Sequence, residues 1–87
     1  MATPVKFIYF AWVRERIGVD EEMLDLPEDM RTGADVMAWL KGRGENYALA
    51  LDDAQAIRMA VNQEHIHPTD TIGTAREIAL FPPMTGG

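Results

Sequence analysis

The sequence predicts an α+β fold, a sheet packed on one main helix, from three observations. A run of β-formers, Val5-Lys6-Phe7-Ile8-Tyr9-Phe10, stands near the start. One segment, opening at Thr32 and stopping at Gly42 and Gly44, carries both an N-terminal signal and an apolar helical stripe. A last alternating run, Glu77-Ile78-Ala79-Leu80-Phe81, leads straight into Pro82. Strands at both ends around one main helix fit a sheet covered on one face.

The elements follow in order. Val5 to Phe10 reads as a largely buried first strand. Ala11 to Ile17 turns helical, with Val13 and Ile17 one turn apart and Gly18 as the stop. Glu22 to Leu26 is a second strand, with Leu24 and Leu26 on one side and Pro27 ending it, and it pairs hairpin-like with the first. Thr32 is the expected N-cap of the main helix, Asp35 lies in its first turn, and Val36, Trp39 and Leu40 form its i, i+3, i+4 stripe. Trp39 is expected in the core. Asn46 is read as the cap of a short helical segment carrying Leu49 and Leu51, and Ile57 to Val61 as a further strand. Strand alternation turns Val5, Phe7, Tyr9, Ile78 and Leu80 toward the helix. It turns Lys6, Ile8, Phe10, Ala79 and Phe81 to the open face. Two phenylalanines exposed there near the tail make a candidate docking patch.

Length and composition narrow the function. The 87 residues, 47% of them apolar, suit one domain over residues 1–81 followed by an extended tail over residues 82–87. A net charge of −6 argues against a nucleic-acid or anionic-membrane partner, since both would repel the chain. Asp20, Glu21, Glu22, Asp25, Glu28 and Asp29 read as a solvated face and a candidate steering surface for basic partners. The absence of cysteine excludes a disulfide scaffold, a thiolate metal site and a cysteine nucleophile. The apolar stretch from Phe7 to Val13 is too short to span a bilayer and is followed by Arg14, Glu15 and Arg16 rather than a cleavage pattern, so a cytoplasmic protein is expected. Gly42-Arg43-Gly44 is a helix stop and not a phosphate-binding loop. His65 and His67 read as surface residues; with no third ligand evident beside them, no metal is expected.

The tail Pro82-Pro83-Met84-Thr85-Gly86-Gly87 is the most informative segment. Glycine costs about 0.5–1 kcal/mol more than alanine to order, so stability does not explain a Gly-Gly end. Without Cβ atoms, Gly86 and Gly87 can enter a narrow slot and leave the final carbonyl carbon open to attack. Pro82 and Pro83 favour an extended path, and six residues at about 3.3 Å each reach roughly 20 Å. A terminal carboxyl, with an ordinary pKa of about 3.3–3.7, is an anion at neutral pH and resists nucleophiles unless activated.

Three stretches carry a family resemblance: Phe10-Ala11-Trp12-Val13-Arg14-Glu15-Arg16-Ile17-Gly18, read as F-A-x-x-R-E-x-x-G; Ala60-Val61-Asn62-Gln63; and Phe81-Pro82-Pro83-Met84-Thr85-Gly86-Gly87. In this order and spacing, the chain resembles the small subunit of molybdopterin synthase. The resemblance implies a β-grasp, ubiquitin-like fold with a mixed sheet, and a sulfur carrier that is no enzyme on its own. It implies that an adenylating enzyme related to ubiquitin-activating enzymes uses ATP to adenylate Gly87, and that a sulfur donor protein then supplies a thiocarboxylate. The tail, Pro82 to Gly87, would enter the large synthase subunit and give its sulfur to cyclic pyranopterin monophosphate. Phe10, Phe81 and His65 would dock the partner, and the chain itself would hold neither metal nor cofactor. A thiocarboxylate carrier for thiamine thiazole or tRNA thiolation, or a ubiquitin-like protein modifier, would share the fold and the Gly-Gly end. The chain departs from the family pattern at Thr74-Ala75-Arg76-Glu77, where a D-G-D-E turn is common, and at His65, where an apolar residue is common.

Overall fold

A computed structural model describes residues 3–83. Strand β1 (Thr3–Tyr9) alternates as its sequence requires, with Val5, Phe7 and Tyr9 at most 1% exposed. It stops one residue before the β-forming run does, because Phe10 becomes the N-cap of helix α1 (Ala11–Ile17). The reversal uses a left-handed backbone at Ala11, φ 52°, which costs an L-residue about 1–2 kcal/mol. Gly18, at φ 100°, closes the helix by donating its N–H to the Arg14 carbonyl at 2.8 Å.

Strand β2 (Glu21–Leu26) then pairs antiparallel with β1, setting Leu24 opposite Val5 and Leu26 opposite Thr3. Helix α2 (Gly33–Lys41) has the expected cap in full: Thr32 Oγ1 accepts from the Asp35 N–H at 3.2 Å, and the Asp35 carboxylate accepts from the Thr32 N–H at 3.1 Å. The Arg31 and Thr32 backbone N–H groups hold the Asp35 carboxyl below its usual pKa. Val36 and Leu40 are fully buried, whereas Trp39 lies at the margin of the core, half-buried with its ring 6.1 Å from that of Phe7.

Helix α3 (Glu45–Ala50) corrects one expectation. Its N-cap is Gly44, and Asn46 instead donates its side-chain N–H to the Ile17 carbonyl at 2.7 Å, tying α3 to the end of α1. Leu51, just past the helix, is buried, while Leu49 is 67% exposed. A single 3₁₀ turn (Ala54–Ala56) leads to β3 (Arg58–Val61), which begins one residue later than the alternation suggested. A hairpin absent from the sequence reading follows. Asn62 and Gln63, at φ 50° and 70°, form a two-residue turn into β4 (Glu64–Ile66).

The final strand β5 (Glu77–Phe81) has the expected bounds and runs parallel to β1 and antiparallel to β3. The sheet is therefore mixed, in the order β2-β1-β5-β3-β4, with β5 at its centre. Ile78 and Leu80 are fully buried against the helical layer. Asn62 organises the unusual Thr74–Glu77 approach to β5: its Oδ1 accepts from the Arg76 and Glu77 N–H groups at 2.9 and 3.2 Å, and its Nδ2 donates to the Thr74 carbonyl at 3.1 Å. Among the described residues Tyr9 is the one fully buried side chain that carries a hydrogen-bonding group, and its hydroxyl donates to Glu22. Most of the acidic stretch from Asp20 to Asp29 is exposed, as expected, but Glu22 is half-buried and accepts 2.7 Å hydrogen bonds from both Tyr9 and Tyr47. Burial, together with Glu22, raises the Tyr9 hydroxyl far above its ordinary pKa and raises Tyr47 in the same direction.

Candidate partner-docking face

The parallel pairing of β1 with β5 brings the ends of the two strands together, and with them Phe10 and Phe81. Tyr9 is paired with Leu80, and the Phe10 N–H donates to the Leu80 carbonyl at 3.1 Å. Phe10, at the turn into α1, remains 46% exposed, and Phe81 is half-buried on the same open face. Their rings meet edge to face, with centroids 6.4 Å apart at 80°. The antiparallel β3–β4 hairpin supplies the third predicted residue, His65, whose ring lies 5.2 Å from Phe81 at 56°. All three predicted docking residues thus form one continuous strip, with Phe81 in the middle.

Beside the strip, the register aligns Ile8, Ala79, Ala60 and His65 across β1, β5, β3 and β4. Ala60 is 7% exposed yet lies outside the core cluster, so it belongs to the open face. Arg58, paired with Phe81, places a cation at the margin of the strip; its Nη1 donates to the Gln55 carbonyl at 3.0 Å. At the opposite edge Lys6 and Glu21 form an exposed ion pair at 3.1 Å, a contact worth little to stability. The face is an apolar centre with charged margins, the usual anatomy of a protein interface. Ala60 and Arg58 escaped the sequence reading because their place depends on β3 pairing with β5, and local alternation does not reveal the partner strand.

The chain leaves the sheet directly beside this strip. Pro82 and Pro83 follow Phe81, outside any helix or strand and half-buried. The predicted insertion residues Met84 and Thr85, and the predicted reactive Gly86 and Gly87, lie outside the described residues. His65 and His67 are both exposed, and among the described residues no group of three or more His, Cys, Asp or Glu could hold a metal ion. No helix among them is long and apolar enough to cross a membrane.

The ThiS family matches residues 7–87. The chain is 38% identical over 80 residues to the molybdopterin synthase sulfur carrier subunit of Haemophilus influenzae, covering 92% of this chain and 95% of that protein. It is 32% identical over 83 residues to the subunit of the same name from Escherichia coli, covering 95% and 99%. Among solved structures, a Pyrococcus furiosus protein provisionally described as molybdopterin converting factor, subunit 1, superposes with a TM-score of 0.74 at 27% identity, covering 95% of this chain and 100% of that one. Small archaeal modifier protein 1 of Haloferax volcanii, at 23% identity and a TM-score of 0.70 over 94% and 99% of the two chains, shares the ubiquitin-like fold.

Proposed function

Because the chain belongs to the ThiS family and matches molybdopterin synthase sulfur carrier subunits along nearly its whole length, we propose that it is the sulfur-carrying small subunit of a molybdopterin synthase. In this reading the Phe10–Phe81–His65 strip seats the large subunit, and Pro82 to Gly87 passes from the seat into that subunit's active site. The observation that carries the reading is the position of the aromatic strip at the point where β5 gives way to Pro82.

The chemistry divides between chain and partners. An adenylating enzyme binds ATP; the Gly87 carboxylate attacks its α-phosphate, pyrophosphate leaves, and the carbonyl becomes electrophilic. Sulfur delivered at the sulfide level by a sulfur donor protein then attacks that carbonyl, the acyl–oxygen bond to AMP breaks, and Gly87 ends in a thiocarboxylate, a softer nucleophile than the carboxylate it replaces. In the large subunit that sulfur attacks the pyranopterin precursor, water cleaves the resulting thioester and returns the Gly87 carboxylate, and two such transfers supply the two sulfurs of the dithiolene. Activation and transfer require the tail to visit separate partners, which favours a seat on the rigid sheet and a slim reactive end without side chains.

The test is conversion of the pyranopterin precursor by the sulfurated chain together with the large subunit. The reading predicts dithiolene formation with the sulfurated chain and none with the carboxylate form. Equal conversion by both forms contradicts it. A variant with one alanine added after Gly87 should keep the wild-type fold by circular dichroism and lose sulfuration.

A further inference from the structure

A second concave surface lies on the helix side of the sheet, between α2 and the β3–β4 hairpin, with a volume of about 630 Å³. Its inner surface includes Met37, Ile57, Met59 and Ile66, of which the first three are less than 10% exposed. Gly33 explains its shape. A Cβ at that position would approach Met59 Sδ to 3.2 Å and both Ile66 Cδ1 and the Pro68 Cα to 3.3 Å, so the start of α2 lies tight against the hairpin. The same end is fastened by the Gly33 and Ala34 N–H groups, which donate to the Asp70 and Pro68 carbonyls at 3.1 and 2.8 Å. From that closed end the lining continues along α2 through Ala34, Met37 and Ala38 to Lys41. The result is a trough about 12 Å long, the rise of eight helical steps.

The charge around the trough is the reverse of the whole chain's. Its two charged lining residues, Lys41 and Arg58, are both cations, and among the described residues no Asp or Glu lines it, although the chain has 14 Asp and Glu against 8 Lys and Arg. One flank is β4, the edge strand, whose outer side has no strand neighbour among the described residues. An edge of this kind can receive an extended segment through its backbone, while alternate side chains fill adjoining pockets.

We propose that this trough docks an extended segment of a partner protein in which apolar and acidic side chains alternate. About four residues at 3.3 Å each match its length. Beside β4 the apolar side chains of such a segment would meet Met37, Ile57 and Ile66 on the helix side, a carboxylate at its end would reach Lys41, and the alternate carboxylates, turned to the other side of the strand, would face Arg58. In a chain of net charge −6, this basic rim selects against basic or neutral segments that a purely apolar groove would accept. The site makes no use of Gly87, so it stands apart from sulfur transfer.

The test is an amide NMR titration of the full chain with two synthetic octapeptides, one alternating valine with aspartate and one alternating valine with lysine. The aspartate peptide should shift the amides of Met37, Ala38, Ile57, Met59 and Ile66, and its binding should weaken with added salt. Ala38→Trp, at an exposed position in the trough, and Lys41→Glu, at its open end, should each weaken it about tenfold, a change of about 1.4 kcal/mol. Retained spectral dispersion shows that a variant is folded; if Ala38→Trp is not, Lys41→Glu decides. No shift of these amides at millimolar peptide, equal binding of the lysine peptide, or shifts confined to the Phe10 and Phe81 face would each overturn the proposal.

Discussion

Phe81 touches both Phe10 and His65 and is also the last residue of β5 before Pro82, so in the proposed function it is the position where docking and tail delivery meet. Its half-exposed ring contributes less to the core than Ile78 or Leu80. Phe81→Ala should therefore weaken association with the large subunit by about 2 kcal/mol or more, as expected for a central aromatic anchor. Folding stability in urea should fall by only about 1 kcal/mol. An unchanged affinity by titration calorimetry would remove the strip from the docking face. Asn62 is a structural residue of a different kind. Its side chain joins the β3–β4 turn to the start of β5, and Asn62→Ala should lower stability by about 1–2 kcal/mol through three lost hydrogen bonds at an exposed site. Tyr9 and Tyr47 make a prediction in alkali. Both hydroxyls are raised above the ordinary value of 10.0, so the unfolded chain releases their protons first. Their contribution to stability is fully present below pH 10 and is lost as the pH rises toward the folded values. The urea midpoint should drop steeply above pH 10, and Tyr9→Phe should make that drop shallower.

At the scale of elements, helix α2 shows how local chemistry fixes a boundary. Thr32→Ala removes the side-chain acceptor of its capping box and should cost about 1 kcal/mol. The lowered Asp35 pKa gives an acid-side counterpart: its contribution is present above the ordinary value of 3.8 and is lost as the pH falls through the folded value. Asp35→Asn should remove that part of the acid sensitivity, measured as the urea midpoint between pH 5 and pH 2. Elements with strong punctuation were legible in the sequence. Gly18 marks the end of α1, Thr32 and Asp35 the start of α2, and Pro82 the end of β5, each through a backbone preference that acts locally. Strand β4 was not legible, because Glu64, His65 and Ile66 are too few and too polar to show alternation. Asn46 was misread for a related reason. Its side chain can cap a helix locally, but here it bonds Ile17, 29 residues away, and no local rule selects that partner. The docking face shows the same division. Alternation gave the outward direction of Phe10 and Phe81, whereas their contact with each other and the presence of Ala60 and Arg58 beside them depend on strand pairing.

At the scale of the whole molecule, a mixed sheet holds its apolar helical layer on one side and offers the Phe10–Phe81–His65 strip on the other. The net charge of −6 favours basic partner surfaces for that face, and association with the large subunit should slow as ionic strength rises. The central β5 strand joins the proposed docking strip to the proposed tail, because it is flanked by β1 and β3 and passes directly to Pro82. Its central place in the sheet gives Pro82 a fixed point of departure, as the proposed delivery of Gly87 requires. The central claim is that Gly87 carries the sulfur. The most direct measurement is the intact mass of the chain after incubation with an adenylating enzyme, ATP and a sulfur donor. The account predicts a mass rise matching one oxygen-to-sulfur exchange, located at Gly87 by fragmentation and absent without ATP. An unchanged mass with enzymes that sulfurate the Escherichia coli or Haemophilus influenzae subunit, or a sulfur adduct at any residue other than Gly87, would contradict it.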